Sequence, residues 1–291
     1  MENAFYEPAG NGVFGSTPAT AGPWSPDAQH GGPPAALAAR AIELHEPDER
    51  QRLARVSIDI LRPIPVQPLS VFTRTVRPGR RVTLIEAMVE AGGQEVLHAR
   101  GWRIERPAGK VPEIADGQAP PPVPAEGDGF PPMIFQREEH GYLASIEWRF
   151  LPGGPGWVDV SADGASISGI AAPGPAGVPG QGELPALAQM RSAWTRPRIP
   201  LLAGEESSPM ERTLLVADSG SGVSAALPPA EYLFINVDLT LTLPRDPASD
   251  WILLEAATAI GADGTGMALT RLSDPIGPCG RALQTLLVAP R

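Results

Sequence analysis

Asp218 closes an apolar run inside the stretch Ser207 to Ser224, SSPMERTLLVADSGSGVS. The run reads as a short helix. Ser208 caps it, Pro209 stands at the first helical position, where a missing N–H costs nothing, and Glu211 falls three residues after the cap. Leu214, Leu215, Val216 and Ala217 follow, and Gly220 and Gly222 supply conformations that end a helix. Asp218 lies three and four residues after Leu215 and Leu214, so it shares their face. A carboxylate on a buried face sheds its hydration and becomes a candidate general base. The same letters also spell an ordinary turn, Asp-Ser-Gly, with the carboxylate in water.

Two amides offer it company. Gln284 alternates onto one strand face with Ala282, Leu286 and Val288. An amide among such neighbours needs partners, because leaving it unsatisfied costs ~1–3 kcal/mol. Asn236 shares a strand face with Phe234 and Asp238. A helix packed across this sheet brings Asp218, Asn236 and Gln284 together; three separate, individually satisfied polar residues is the other reading. Elsewhere, Gly31 and Gly32 open an Ala-rich helix over Pro33 to Leu44. Their backbone N–H groups and the helix dipole favour an incoming oxygen, although a Gly-Gly pair is also a common tight start to a helix.

The elements that position these residues follow in order. Residues 4–25 read as one or two short strands around Asn11-Gly12. After the Ala-rich helix, Arg55–Leu61, Leu69–Val76, Arg81–Glu90 and Glu95–Ile104 alternate as strands. Residues 107–132, with Pro120, Pro121, Pro122, Pro124, Pro131 and Pro132, read as a linker between repeats at 1–106 and 133–291. In the second half, strands are expected over Gly141–Phe150 and Gln189–Arg198, with a Gly/Pro-rich insertion near 152–185 between them. The Asp218 helix comes next, then one long strand over Glu231–Leu243, and strands over Trp251–Ile260, Met267–Ser273 and Arg281–Val288.

The halves can be laid over each other. Val56-Ser-Ile-Asp-Ile-Leu resembles Ile235-Asn-Val-Asp-Leu-Thr, and Gly93–Ile104 matches Gly277–Val288 without a gap. On that superposition Arg40 stands where Asp218 does, Ser57 where Asn236 does, and Arg100 where Gln284 does.

The chain has 291 residues, enough for one large or two ordinary domains, and a net charge of −10. An acidic chain without a Lys/Arg run argues against nucleic acid and anionic membrane as partners. Cys279 is the single cysteine, so no internal disulfide forms and no thiolate metal site is expected. His30, His45, His98 and His140 show no metal-ligand spacing, and neither metal nor cofactor is expected. The start, MENAFYEP, is polar, and no stretch could span a bilayer, so a soluble, cytoplasmic protein is expected.

Four stretches carry a family resemblance: His30-Gly-Gly-Pro, Leu215-Val-Ala-Asp-Ser-Gly, Phe234-Ile-Asn-Val-Asp-Leu and Gly280-Arg-Ala-Leu-Gln-Thr. With them the chain resembles the acyl-CoA thioesterase II family over most of its length, closest to its actinobacterial-type branch. The resemblance implies an α+β double hot-dog: two repeats, each a long helix wrapped by an antiparallel sheet. It implies hydrolysis of acyl-CoA by water that Asp218 activates and that Gln284 and Asn236 position. It assigns Gly32, Gly31 and His30 to substrate binding, with the Gly32 N–H on the developing oxyanion. Asn236 departs from the family pattern, which has threonine there. Arg77, Arg80 and Arg81, or Arg196 and Arg198, are candidates to meet the CoA phosphates, and a homo-oligomer is expected. Leu37, Trp102 and Trp194 are candidates to set acyl-pocket depth. A non-catalytic acyl-CoA-binding protein and a hot-dog enoyl-CoA hydratase are the rival readings; the hydratase wants an Asp/His pair, and no histidine lies near Asp218 in sequence.

Overall fold

The computed structural model describes residues 3–109, 111–114, 117, 119–126, 141–151, 190–227 and 231–291. The Gly/Pro-rich insertion expected near 152–185 lies outside the described residues, as does His140.

The first half runs β1 (Tyr6–Gly10), β2 (Val13–Ser16), a 3-10 turn, β3 (Ala21–Gly22), β4 (Ser25–Gln29), α1 (Gly32–Leu44), β5 (Gln51–Ile60), β6 (Leu69–Arg77), β7 (Val82–Ala91) and β8 (Gln94–Glu105). The described residues of 107–126 hold no helix or strand. The second half runs α2 (Tyr142–Ser145), β9 (Ile146–Phe150), β10 (Arg191–Pro197), α3 (Pro209–Ala217), α4 (Gly220–Val223), β11 (Tyr232–Asn236), β12 (Asp238–Thr242), β13 (Ile252–Ile260), β14 (Thr265–Asp274) and β15 (Gly277–Pro290).

Thirteen described strands form one antiparallel sheet in the order β1-β2-β6-β7-β8-β5-β12-β15-β14-β13-β10-β9, with β11 also on β15. The halves meet at β5 and β12, where Asp59 faces Asp238 and Val56 faces Leu241. α1 and α3 pack against each other, α1 also against β5, β6, β7 and β8 and α3 against β10 and β13. Their contact is close because α1 is built of small residues: a Cβ on Gly32 would lie 2.5 Å from the Leu215 carbonyl oxygen. Leu37, Ile42, Val56, Ile58, Ile85, Leu214, Leu215, Leu239, Leu241 and Leu254 join one core between the helices and both halves of the sheet. Each such side chain contributes ~1.5–3 kcal/mol relative to exposure, so the two halves are bound by a common interior.

Four expectations need correction. Gly141–Phe150 is not strand throughout. Gly141, at φ 86°, turns the chain into one helical turn, whose Ser145 hydroxyl donates back to the Gly141 carbonyl, and the strand starts at Ile146. Gly220 and Gly222 do not end the helical region, because α4 begins at Gly220. Gly220 is needed for close approach instead, since a Cβ there would collide with Thr270 Oγ1 on β14.

The long strand expected over Glu231–Leu243 is interrupted at Val237. Asn236 pairs with Leu286 and Thr240 with Leu283, so four steps on one strand match three on the other. That one-residue surplus is a β-bulge, which reverses which side chains point inward. Phe234 and Asn236 face inward before it, and Leu239 and Leu241 after it; Asp238 does not share the face of Asn236. Without the bulge, either the site amide or two core leucines would face solvent.

The gapless match of Gly93–Ile104 to Gly277–Val288 fails by one residue. Ala99 and Gly101 are buried and Arg100 is exposed, whereas Gln284 is fully buried. Arg100 therefore stands on the opposite face and is no counterpart of Gln284; it lies 3.6 Å from Glu86 on the outer side.

Candidate active site

α3 delivers Asp218. Ser208 Oγ accepts from the Glu211 N–H at 3.1 Å, so the helix starts at the cap read in the sequence. Asp218 closes the helix in αR geometry and is 5% exposed. Its two carboxylate oxygens have different company. Oδ1 accepts from Asn236 Nδ2 at 2.8 Å and from Gln284 Nε2 at 3.3 Å. Oδ2 stands 3.2 Å from His30 Nδ1 and against the Gly31 Cα, where a Cβ would lie 2.7 Å away.

β15 delivers Gln284, which is completely buried and fully engaged. Its Nε2 also donates to the Asp218 carbonyl at 2.9 Å, and its Oε1 accepts from the Ser221 N–H at 3.1 Å. It thereby pins the joint between α3 and α4. Asn236, at the end of β11, donates again to the Asp238 carbonyl at 3.3 Å. Both amides thus orient the carboxylate directly, and Oδ2 is the oxygen left with capacity to take a proton.

The β3–β4 ribbon and the start of α1 deliver His30, Gly31 and Gly32. Pro33 and Pro34 carry no N–H, and the Ala35 N–H donates to the Gly31 carbonyl at 3.1 Å. Only Gly31 and Gly32 therefore have backbone donors to offer at this helix start. The Gly32 N–H donates to His30 Nδ1 at 3.1 Å. Burial lowers the pKa of His30, and the Asp218 charge offsets part of that, so the ring is neutral near pH 7.

Two further residues complete the site. Tyr142 is fully buried, and its ring lies flat on His30 at 3.6 Å and 4°. Its hydroxyl donates to the Leu215 carbonyl at 2.6 Å and bonds Ser219 Oγ at 2.8 Å. Burial pushes the Tyr142 hydroxyl well above the ordinary tyrosine range, so it stays protonated. Ser219 lies in the stretch Leu215-Val-Ala-Asp-Ser-Gly that carries the resemblance, whereas nothing in Gly141–Phe150 marks Tyr142.

Arg77, Arg80, Arg81 and Arg196 do not converge here, whereas the Arg198 N–H donates to the Ser145 carbonyl of α2, the turn that carries Tyr142. His45, just past α1, bonds Thr73 and Thr75 on β6, so the β6–β7 turn lies beside the far end of α1. That is about 20 Å from Gly31 along thirteen helical residues at ~1.5 Å each. Arg77, Arg80 and Arg81 sit on that turn, and Arg77 lies over Trp102 on the outer side, which also removes Trp102 from the interior. Arg196 bonds Glu147 at 2.5 Å and lies over the Trp251 ring. Arg40, laid over Asp218 in the repeat, bonds Glu205 at 2.6 Å beside the start of α3, not its end. Ser57 lies beside the Arg100 carbonyl, 3.5 Å away, on the β5–β8 ladder. Among the described residues no three His, Cys, Asp or Glu side chains cluster to hold a metal ion, and no helix is long and apolar enough to cross a membrane.

Residues 20–104 match the acyl-CoA thioesterase N-terminal domain, and residues 116–288 match the acyl-CoA thioesterase C-terminal domain. The chain belongs to the acyl-CoA thioesterase family. Its fold agrees with that of solved structures. A putative thioesterase II from Thermobifida fusca YX superposes with TM-score 0.65 at 18% identity, over 98% of this chain and 95% of that one. An acyl-CoA thioesterase II from Mycobacterium marinum gives 0.62 at 14% identity, over 98% and 95%. A conserved protein with a hot-dog fold from Alicyclobacillus acidocaldarius gives 0.65 at 14% identity, over 95% and 92%. No curated protein gives a significant sequence match. This thioesterase therefore has a hot-dog fold and acts on acyl-CoA thioesters, and the site around Asp218 can be read for that reaction.

Proposed function

We propose that this thioesterase hydrolyses acyl-CoA by direct attack of a water that Asp218 activates, with no covalent intermediate. The observation that carries the reading is the unequal company of the two Asp218 oxygens. Asn236 and Gln284 hold Oδ1, and Oδ2 remains as the base. In this reading Asn236 Oδ1, to which no described group donates, accepts the water's second hydrogen. The water attacks the thioester carbonyl, its proton passes to Asp218 Oδ2, and the carbonyl oxygen becomes an oxyanion. The N–H groups of Gly31 and Gly32 at the positive end of α1 meet that charge; one such donor contributes roughly 2.7–4 kcal/mol in other enzymes. The C–S bond then breaks, coenzyme A leaves as a thiolate, and Asp218 returns the proton to the sulfur.

Asn236 cannot relay a proton as a hydroxyl would, but the reading does not require it to. Its amide fixes the carboxylate, and Oδ2 alone moves the proton. The His30–Asp218 pair at 3.2 Å also brings together the groups that hydratase chemistry uses. The deciding experiment covers both. Acyl-CoAs from short to long chain, and a 2-enoyl-CoA, are offered to wild type and Asp218→Asn, with free thiol measured. Thiol release that collapses by roughly 10²–10⁴ in the variant supports the reading. Loss of the enoyl absorbance without thiol release points to hydration, and tight binding without either reaction points to a binding protein.

The proposed architecture is a double hot-dog, with the repeats at 1–106 and 133–291 joined through β5 and β12 and by a linker at 107–132. The second repeat's helix is broken at Asp218 into α3 and α4. A homo-oligomer in the cytoplasm is part of the same proposal. Exposed Ile235, Val237, Met267, Leu283 and Leu287 on β11, β14, β15 and the bulge support self-association through the outer sheet face.

A further inference from the structure

His30 Nδ1 has two neighbours that make opposite demands on it. The Gly32 N–H, 3.1 Å away, donates to a lone pair on Nδ1. The Asp218 Oδ2, 3.2 Å away, is an acceptor that asks for a proton on Nδ1. One nitrogen cannot satisfy both. If Nδ1 carries the proton, it donates to Asp218 and the Gly32 N–H is released. If the proton is on Nε2, the Gly32 N–H is held by the ring and Oδ2 faces a lone pair.

The ring itself is fixed. Tyr142 lies flat against it at 3.6 Å, and the Tyr142 hydroxyl is anchored to the Leu215 carbonyl and to Ser219 Oγ. The Leu215 carbonyl is also the group against which Gly32 packs, at 2.5 Å from a would-be Cβ. The last turn of α3, the start of α1 and the imidazole are thus referred to one buried side chain. The stack keeps the ring beside both neighbours, and the conflict is settled by where the proton sits.

We propose that Tyr142 and His30 are a positioning pair that decides whether the Gly32 N–H is open to the thioester oxygen. Ionised Asp218 selects the Nδ1–H form of His30, and that form frees the Gly32 donor for the oxyanion. The substrate-ready state of the base is thereby also the state in which the oxyanion donor is available. No bond in the substrate is made or broken by either residue. The inference rests on the mechanism proposed above.

The test reads the tautomer directly. Nitrogen-15 NMR of histidine-labelled full-length protein at pH 7.5 distinguishes Nδ1–H from Nε2–H, with the His30 signals assigned by their loss in His30→Gln. Wild type is expected in the Nδ1–H form. In Asp218→Asn, the Asn236 and Gln284 donors keep the amide oxygen at the Oδ1 position, so the new NH2 donates to Nδ1 and the ring switches to Nε2–H. An Nε2–H ring in wild type overturns the proposal, as does an unchanged ring in the variant.

Turnover supplies the second arm. Tyr142→Leu removes the platform and is expected to lower kcat about tenfold or more with KM within about threefold, the signature of a lost oxyanion donor. Tyr142→Phe keeps the platform and is expected to restore kcat to within about threefold while the melting temperature still drops, because the Leu215 carbonyl loses its donor. A folded Tyr142→Leu protein with wild-type kcat overturns the positioning role. The NMR arm needs no turnover, so it still decides the tautomer if Asp218→Asn hydrolyses as well as wild type, the result that would overturn the mechanism instead.

Discussion

Asn236 Nδ2 stands 2.8 Å from Asp218 Oδ1, although the aspartate ends a helix and the asparagine ends a strand one residue before a bulge. The bond exists because Val237 is the surplus residue of the β11–β12 strand. Asn236→Ala removes a donor from the carboxylate and leaves the fold's core untouched. The expected result is a fall in kcat of about tenfold, near the ~1.4 kcal/mol of one such contact, with little change in melting temperature. Asn236→Thr keeps one donor for Oδ1 and is expected to stay within about threefold of wild type. Steady-state kinetics on the best acyl-CoA checks both, and an Ala variant as active as wild type removes Asn236 from the site.

The two glycines before α1 are close to different things, so their substitutions should fail differently. A Cβ on Gly31 points at the Asp218 carboxylate at 2.7 Å, and a Cβ on Gly32 points at the Leu215 backbone at 2.5 Å. A carboxylate can rotate away, whereas a packed helix backbone cannot. Gly31→Ala is expected to lower kcat severely with a small loss of stability. Gly32→Ala is expected to force α1 and α3 apart and to lower the melting temperature by several degrees, as an overpacked core contact of ~1–3 kcal/mol does. Thermal melts and turnover on the same preparations separate the two effects.

Much of this site is legible in the amino-acid sequence alone, and the reasons are local. Ser208, Pro209 and Glu211 define a helix start through nearest-neighbour chemistry, and Ser208 Oγ does take the Glu211 N–H. Gln284 stands out because an amide among Ala282, Leu286 and Val288 must find partners. What is not legible depends on register and long-range packing. The bulge at Val237 leaves no letter in the sequence, since valine is an ordinary strand residue. The apparent match of Arg100 to Gln284 misses a one-residue shift that turns one outward and the other inward. Tyr142 reaches His30 across more than a hundred residues, and no periodicity encodes a stacked pair of rings.

Gln284 is expected to carry stability as well as activity, and that separates it from Asn236. It is completely buried and meets the Asp218 carbonyl and the Ser221 N–H besides the carboxylate. Gln284→Leu fills the space but strands those two backbone groups, at ~1–3 kcal/mol each. The variant should melt several degrees lower and lose turnover together, because the α3–α4 joint that carries Asp218 loosens. A Leu variant with wild-type melting temperature would show that Gln284 does not hold the joint.

The opposite end of the helix pair makes a pH-dependent demand of its own. Glu211 is 6% exposed, and burial together with the nearby Glu43 carboxylate pushes its pKa up to about 7 from 4.5. Glu43 is also raised by burial, against the lowering effect of the hydrogen bond it accepts from Ser208 Oγ at 2.7 Å. Arg40 and Glu205 are the other charged groups that act on Glu211. Between the unfolded value and about 7 the folded protein holds a proton that the unfolded chain releases. The contribution of Glu211 to stability therefore falls as pH rises through that window. The carboxylates of Asp274, Glu147 and Glu86 are held low by Arg245, by Arg149 and Arg196, and by Arg74, and their contribution is lost only as pH falls below the ordinary carboxylate range. The carboxylate windows lie below that of Glu211, but His30, whose pKa burial lowers, gains stability as pH rises through part of the same window, so the Glu211 contribution is read from the difference between wild type and variant. Glu211→Gln should flatten the decline between about pH 5 and 8 and raise stability at pH 8 by ~1–3 kcal/mol, while leaving the acid limb unchanged. Chemical denaturation across pH on both proteins decides it: parallel curves for wild type and variant would mean that Glu211 is already ionised in the folded protein.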